Sequence, residues 1–214
     1  MSVTISFDLW NTLIIPNPGY KDARNKLISR ITGIDVDTVS AAHLKVKRVL
    51  DSINALGYSP RTRVCWNMLE VELNREFYYD FNIEFTQLVL DHPPLVDSSI
   101  VSWFNELLLS DIKVGITSNT NMISGNTLRD VLYTEYGFEL KLLAWDMFSD
   151  EHSVAKPASL ESFKWYNKTI HKAHVGDTVE TDGLFATRLG WDFIHVRNPN
   201  DTIDYVNSYI KGLN

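Results

Sequence analysis

Four side chains that can bind a metal ion or a phosphate group stand at the ends of strand-like segments in this sequence. Asp8, Ser118 and Asp177 each close a short apolar run, and Lys156 lies just before a predicted helix. The carboxyl ends of parallel strands meet in one crevice, where open α/β sheets bind ligands. Two carboxylates there can hold a divalent cation, and a hydroxyl with an ammonium group can hold an anion. This set of groups suits phosphoryl transfer through a carboxylate nucleophile.

An alternation of strands and helices has to position these groups. The strand-like segments cover residues 3–8, 112–118, 141–146, 172–177 and 192–198. Between the later segments lie helical patterns, seen best at residues 98–109, where apolar side chains recur at the spacing of one helix face. Such alternation favours parallel pairing and a covered sheet, so we expect an α/β fold.

A long segment between the first and second predicted strands has helical character throughout. Apolar stripes predict helices over residues 20–31 and 36–56, Ser59 and Pro60 predict the start of a third helix, and a weaker fourth covers residues 84–91. The His-Pro-Pro sequence that follows ends this helix. We therefore expect residues 16–92 to form a helical domain inserted into a core built from residues 1–15 and 93–214.

Composition excludes several classes of protein. The chain has 214 residues, of which 44% are apolar, so it can bury a sizeable core. Its single cysteine, Cys65, excludes an intrachain disulfide framework and fits a cytoplasmic protein. The net charge of −7 and the lack of a basic run argue against nucleic-acid binding. No apolar run is long enough for a membrane helix, so we expect no contact with a membrane. Asp8 interrupts the N-terminal apolar run, which argues against a cleaved signal peptide. Nothing in the sequence indicates an oligomeric state.

Four short motifs occur in a fixed order along nearly the whole chain. They are FDLWNTL at residues 7–13, GITSN at 115–119, AKP at 155–157 and GDTVETD at 176–182. Through these motifs the sequence resembles the haloacid dehalogenase-like hydrolase superfamily, which places a helical cap between the first and second motifs. The resemblance implies a Rossmann-like parallel sheet with the helical segment as that cap.

The resemblance also implies a role for the residues of the first and fourth motifs. Asp8 would be the nucleophile, attacking phosphorus to form an aspartyl-phosphate. Magnesium would be held by Asp8, the backbone carbonyl of Trp10 and Asp177. Asp182 would position Lys156 or a metal-bound water. Thr12 would help to position the residues that bind the metal.

The substrate implied by the resemblance is a small phosphorylated molecule. Ser118 and Asn119 from the second motif, Lys156 from the third and Trp10 from the first would contact it, with Lys156 neutralising the charge on Asp8 and the phosphoryl group. Thr117 stays an alternative to Ser118 for the hydroxyl contact, because the register of a strand end cannot be fixed from sequence.

Trp10 departs from the family pattern, because the family's phosphatases usually carry a second aspartate there as general acid and base. Indole does not titrate at neutral pH, and proton transfer of this kind contributes about 10²–10⁴-fold in rate. Three functions remain. The chain is a magnesium-dependent phosphatase for good leaving groups such as acyl or aryl phosphates, a 2-haloacid dehalogenase, or a non-enzymatic relative that binds a phosphorylated ligand or a protein. The dehalogenases have an aromatic residue at this place, but they work without metal and keep no acid where Asp177 stands.

Other potential sites have weaker support. His171 and His174 are three residues apart, but the strand prediction places them on different elements, and no further zinc ligands lie nearby. Cys65 is expected to be a buried small hydrophobe. The loop tips of the insertion at residues 16–20 and 57–63 are expected to decide the substrate, but they contain no recognisable ligand pattern.

Overall fold

The computed structural model describes residues 3–78, 81–157 and 171–213. Within these ranges five strands form one sheet in which every neighbouring pair is parallel. They are β1 (Val3–Phe7), β2 (Lys113–Ser118), β3 (Trp145–Phe148), β4 (His171–Gly176) and β5 (Asp192–His195), arranged in the order β3-β2-β1-β4-β5. The predicted α/β fold with a Rossmann-like parallel sheet is confirmed.

The central strand β1 explains why the sheet is parallel and covered on both faces. All five of its residues are buried, so the strand lacks the polar alternation of a sheet with one face in water. It pairs with β2 on one side and with β4 on the other. The carboxyl ends of β1, β2 and β4 therefore lie side by side.

The third strand differs from its prediction. Residues 140–142 form a 3₁₀ turn, and β3 runs from Trp145 to Phe148. The strand predicted over residues 141–146 therefore starts too early in the sequence. The indole of Trp145 lies directly over Gly115 of β2, where any Cβ atom would overlap the ring. Glycine at residue 115 is therefore needed to admit this large side chain against the sheet.

Helices form the rest of the described chain. They are α1 (Tyr20–Thr32), α2 (Val36–Ala55), α3 (Thr62–Leu73), α4 (Phe81–Asp91), α5 (Ser98–Leu108), α6 (Gly125–Tyr136), the single turn α7 (Ser149–His152), α8 (Leu184–Leu189) and α9 (Pro199–Gly212). A π-helical turn, Val179–Gly183, precedes α8. Among these residues no helix has the length and apolar character needed to cross a membrane.

The predicted start of the third helix is wrong. Helix α3 begins at Thr62, and its N-cap residue Arg61 makes no side-chain capping bond. Ser59 instead hydrogen-bonds through its hydroxyl to the Ser149 hydroxyl, at 2.8 Å. Ser59 thus ties the loop before α3 to the first residue of α7, a contact between distant residues that local cap signals do not reveal.

Two main apolar clusters stabilise the molecule. One joins the strands to α5, α6 and α9, and includes Ile5, Phe7 and Phe104. The other lies within α1 to α4, contains the fully buried Cys65, and also takes in Met122 and Val131 from the loop before α6 and from α6 itself. Helix α6 therefore contributes to both clusters, through Leu128 and Leu132 on one side and Val131 on the other.

Candidate active site at the carboxyl ends of the strands

The turn after β1 places Asp8 at the edge of the sheet. The Asp8 amide donates to the carbonyl of Val175, at 2.8 Å, which extends the β1–β4 pairing by one residue. Asn11 then takes a left-handed conformation, with φ of 57°, which asparagine adopts more readily than most residues. This turn directs the Asn11 side-chain amide toward Asp177, whose carboxylate accepts a hydrogen bond at 3.2 Å.

A buried ammonium group joins two acids of the site. Lys156 Nζ donates to Asp8 Oδ1 at 2.7 Å and also to Asp182 Oδ1. The three residues are 2%, 7% and 1% exposed, in the order Lys156, Asp8 and Asp182. Charges as buried as these persist only when they are paired. The lysine of the third motif therefore links the acids of the first and fourth motifs.

This burial and pairing separate the pKa values of the two acids. Burial raises the pKa of Asp8 to about 7, even though Lys156 opposes that effect. Burial also raises the pKa of Asp182, but the Lys156 ammonium and a hydrogen bond from His174 outweigh it, and the pKa stays below its usual range. For Lys156, burial lowers the pKa, but the two carboxylates more than compensate, so the net shift is upward.

A third carboxylate completes a cluster suited to a cation. One potential ligand atom from each of Asp8, Asp177 and Asp182 lies within 4.8 Å of the others. Three acids thus face the single ammonium of Lys156, and magnesium prefers oxygen ligands of this kind. Asp177 is fixed further by the hydroxyl of Thr178, which donates to its Oδ1 at 3.1 Å. The residues present fit a magnesium ion.

His174 is a residue of the site that sequence reasoning did not identify. Its Nε2 lies 3.1 Å from Asp182 Oδ1, and because burial lowers its pKa to about 4, the neutral ring donates this hydrogen bond. Asp182 approaches the strand closely because residue 176 is glycine, where a Cβ would overlap the Asp182 side chain. The signal available in the sequence was a histidine between the small apolar residues Ala173 and Val175, just before the fourth motif.

The two hydroxyls at the end of β2 occupy different surroundings. Thr117 Oγ1 is hydrogen-bonded to Ser6 Oγ, at 3.0 Å, inside the sheet. Ser118 Oγ is buried and has no hydrogen-bond partner among the described residues. An unpartnered buried hydroxyl is costly, so Ser118 rather than Thr117 has an unused hydrogen-bonding group.

Asn119 acts through its side chain, which bonds the backbone of Lys156, whereas Thr12 is held through its backbone carbonyl. Asn119 Oδ1 accepts from the Lys156 amide at 2.9 Å, and Asn119 Nδ2 donates to the Lys156 carbonyl at 3.2 Å. Its side chain therefore positions Lys156. Thr12 is fully buried, and its carbonyl accepts from the Thr202 hydroxyl at 2.7 Å, which anchors the turn after β1 to α9.

Trp10 lines two neighbouring cavities. The smaller one, about 200 Å³, contains the three acids and Lys156, and the larger one, about 420 Å³, extends toward the inserted helices. Trp10, Asn11 and Asn119 line both. The indole is partly exposed and stands beside Asp8 in the wall of the smaller cavity.

The larger cavity shows which residues of the insertion face the site. Of the predicted loop tips, Tyr20 lines it, whereas Tyr58 is 66% exposed and lies outside it. Arg24, His43 and Lys47, which lie within α1 and α2, line it as well. Sequence reasoning missed these three because they lie within helices rather than at loop tips.

Two further predictions concern the neighbourhood of these motifs. His171 and His174 both belong to β4, so the prediction that they lie on different elements is wrong. Strand β4 begins one residue earlier than the sequence pattern indicated. The helix predicted after Lys156 lies outside the described residues.

Of the comparisons with known proteins, the one with solved structures agrees with this fold. No family model matches the chain, and no curated protein matches it significantly in sequence. Solved structures do match over almost the whole chain. The magnesium-bound putative HAD-hydrolase YfnB from Bacillus subtilis is 15% identical, with a TM-score of 0.70, and the match covers 96% of this chain and 99% of that one.

Two dehalogenases are also similar in structure. The 2-haloacid dehalogenase from Pseudomonas syringae pv. Tomato DC3000 is 15% identical, with a TM-score of 0.62, and the match covers 98% of this chain and all of that one. The L-2-haloacid dehalogenase from Xanthobacter autotrophicus is 16% identical, with a TM-score of 0.57, and the match covers 92% and 78%. At these identities the likeness concerns the fold, and this chain has the haloacid dehalogenase-like hydrolase fold.

Proposed function

We propose that the protein is a magnesium-dependent phosphatase that acts on a small phosphorylated molecule through an aspartyl-phosphate at Asp8. The observation that carries the proposal is the cluster of Asp8, Asp177 and Asp182 around Lys156. Three carboxylates and one ammonium leave an excess of negative charge, which a divalent cation balances. A phosphoryl group then meets a nucleophile, a cation and an anchored ammonium in one small cavity.

The first step follows from how Asp8 is held. Lys156 engages Oδ1, so the Oδ2 atom of Asp8 attacks phosphorus, and the bond from phosphorus to the leaving oxygen breaks with its electron pair. A carboxylate is a weak nucleophile, and catalysis therefore depends on positioning and on charge neutralisation. Ser118, whose hydroxyl is buried without a partner among the described residues, donates a hydrogen bond to a phosphoryl oxygen.

Magnesium, when bound, supplies charge neutralisation for the phosphoryl oxygens. Asp8, Asp177 and the backbone carbonyl of Trp10 would hold it. Asp182 keeps Lys156 in place from the opposite side and is itself fixed by His174 and by the Thr178 amide, which donates at 3.1 Å. These contacts support a role for Asp182 in positioning Lys156.

The second step regenerates the enzyme. Water attacks the phosphorus of the aspartyl-phosphate, the bond from phosphorus to Asp8 Oδ2 breaks, and inorganic phosphate leaves. Trp10 cannot protonate the leaving oxygen or activate the water, because its N–H only donates and does not titrate. The preferred substrates are accordingly acyl or aryl phosphates, whose leaving groups need little protonation.

A 2-haloacid dehalogenase is the second candidate. The observation that favours it is the aromatic side chain of Trp10 beside Asp8 in the cavity wall, since a halide leaves without a proton. The Asp177 carboxylate, held toward the same cavity by Asn11 and Thr178, has no task in a metal-free displacement. For this reason the phosphatase is the better proposal. A non-enzymatic protein that binds a phosphorylated ligand or a protein partner is the third.

One experiment separates the three functions. Phosphate release from an aryl phosphate is measured with magnesium and with excess chelator, and chloride release from a 2-chloroalkanoate is measured under both conditions. A phosphatase releases phosphate only with magnesium. Chloride release that persists in chelator would identify a dehalogenase, and no turnover of either substrate would favour the binding protein.

The division into a core of residues 1–15 and 93–214 and a cap of residues 16–92 belongs to the same proposal. The separate apolar cluster of α1 to α4 supports it. A small phosphorylated molecule as partner and a cytoplasmic location remain proposals that rest on the motifs and on the single cysteine.

A further inference from the structure

Arg24 is a buried cation without an acidic partner among the described residues. The residue is 7% exposed, lies on α1 and lines the 420 Å³ cavity, and its guanidinium carbon lies 5.8 Å from the centre of the Tyr20 ring. Its Nε and Nη2 atoms donate to one neutral acceptor, Asn25 Oδ1, at 3.1 and 2.9 Å. A buried guanidinium normally has a carboxylate or phosphate partner, because the charge is costly to remove from water.

The unused donors of Arg24 form one edge of the guanidinium. Five N–H bonds are available, and Asn25 takes one from Nε and one from Nη2. Nη1 makes no hydrogen bond to the described residues, so the Nη1 and Nη2 edge remains for another group. Two parallel N–H bonds at this edge match the two oxygens of a carboxylate or of a phosphate.

The surroundings of Arg24 are positive as well. Lys47 and His43 line the same cavity, and none of the described residues that line it is acidic. Burial, together with the charges of Arg24, Lys47 and Lys21, lowers the pKa of His43 to about 3. Lys47 has a partner, since it donates to Asp51 at 2.6 Å. The Tyr20 ring in the same wall offers Arg24 a cation–π contact but no negative charge. Among the described residues, Arg24 is therefore the cation at this end of the cavity that has no acidic partner.

We propose that this cavity binds the distal end of the ligand, and that Arg24 pairs there with a second oxyanion, a carboxylate or a further phosphate. The cavity shares Trp10, Asn11 and Asn119 with the smaller cavity that holds Asp8. One ligand can therefore occupy both. Leu50, Met122 and Ile123 in the wall provide apolar contact for the part of the ligand between its two charged ends.

The ligand class that follows is a small molecule with a phosphate at one end, an apolar middle and an oxyanion at the other end. The phosphate end rests on the proposed function, whereas the oxyanion end rests on Arg24 alone. The two parts are therefore tested with different probes.

The test uses phosphonates, which the enzyme cannot hydrolyse, and measures binding to the full-length protein with magnesium by calorimetry. The probes are 4-methylbenzylphosphonate, its 4-carboxy counterpart, the corresponding bisphosphonate and 4-methylbenzoate. We expect the carboxy probe or the bisphosphonate to bind about 10- to 100-fold more tightly than the methyl probe, the range of a charged hydrogen-bonded pair. Which of the two is favoured identifies the second oxyanion.

Arg24→Met removes the guanidinium and its charge while keeping an unbranched apolar stem, and it should abolish this preference. Arg48→Met is the matched control, because Arg48 is exposed on α2 and outside the cavity, and it should keep the preference. Arg24→Lys retains the charge without the paired donors and should lose most of the preference. This second variant keeps the test valid if thermal unfolding shows that Arg24→Met is not folded.

Equal binding of the methyl and charged probes by the unmodified protein would overturn the inference, as would a preference that survives in both Arg24 variants. Binding of 4-methylbenzoate that depends on Arg24, in a protein without phosphatase activity, would support the oxyanion site and reject the proposed function. Phosphatase activity without any preference among the probes would support the proposed function and reject the oxyanion site.

Discussion

The side chain of Asn119 bonds both backbone polar groups of Lys156, a residue 37 positions further along the chain. This pair of bonds fixes where the third motif lies against the second. The lysine Nζ is thereby held between Asp8 and Asp182. Asn119 thus acts on the site through Lys156.

Asn119→Ala should therefore misplace Lys156. We expect kcat for an aryl phosphate to fall by about 10- to 100-fold, and the free energy of unfolding to fall by about 1–3 kcal/mol, because the buried amide and carbonyl of Lys156 lose their partners. Asn105→Ala is the matched control, since the Asn105 side chain likewise bonds one backbone carbonyl and one backbone amide, those of Gly137 and Glu139, and lines neither cavity. Equal kcat values for the two variants would contradict this role.

Asp8→Asn should abolish turnover of every phosphate ester and leave the fold intact, because the change is nearly isosteric and removes the attacking oxygen's charge. Steady-state phosphate release measures the first result and thermal unfolding the second. Asp111→Asn, at an exposed aspartate before β2, should behave as the unmodified protein. Mass spectrometry has to exclude deamidation. Unchanged hydrolysis by a verified Asp8→Asn sample would refute the aspartyl-phosphate mechanism.

Asp177→Ala should raise the magnesium concentration needed for half-maximal activity by more than about tenfold. The physical reason is that neighbouring carboxylates remain ionised largely by sharing the cation. A magnesium titration of phosphatase activity measures the effect. If the unmodified protein is as active in excess chelator as it is with magnesium, no metal takes part in the reaction.

Trp10→Asp should supply the missing general acid. We expect hydrolysis of alkyl phosphates to rise by about 10- to 100-fold, at the low end of the general-acid range because an introduced group is seldom ideally placed. Aryl phosphates should gain less. Trp10→Asn is the matched control, since it opens the same space without a titrating group. A folded Trp10→Asp protein that binds magnesium without any gain would favour the binding protein over the phosphatase.

We expect His43 to lower the free energy of unfolding of the protein at acidic pH. Burial and neighbouring cations hold the pKa of His43 at about 3, whereas the unfolded chain takes up this proton near pH 6.5. The unfolded state thus binds more protons below pH 6.5, and the free energy of unfolding falls as the pH falls. His43→Gln should reduce this loss between pH 7 and pH 5 by about 1 kcal/mol, allowing for the partial exposure of the ring.

Urea unfolding of the metal-free protein at the two pH values measures the effect. His152→Gln, at an exposed histidine in α7, is the control. A loss of stability that is the same in the unmodified protein and in the His43→Gln variant would contradict the prediction.

Local pattern in the sequence determined the class of the fold and most of its elements. Strands β1 and β2 and helices α1, α2 and α5 begin and end within a residue or two of their predicted bounds, because apolar spacing and turn residues act over a few positions. Strand β3 was misplaced because its position depends on Trp145 packing over Gly115, a contact between two strands.

The sequence also identified the acids and the lysine of the site, because parallel strands bring their carboxyl ends together wherever they pair. Tertiary structure alone decided how these groups are used. The Thr117 hydroxyl is hydrogen-bonded to Ser6, whereas the Ser118 hydroxyl has no partner among the described residues. The Asn119 side chain is hydrogen-bonded to the backbone of Lys156, and His174 is hydrogen-bonded to Asp182. Arg24 likewise lines the larger cavity together with His43 and Lys47 only because α1 packs against α2. Each of these roles depends on distances between side chains far apart in the chain, and no local periodicity encodes such distances.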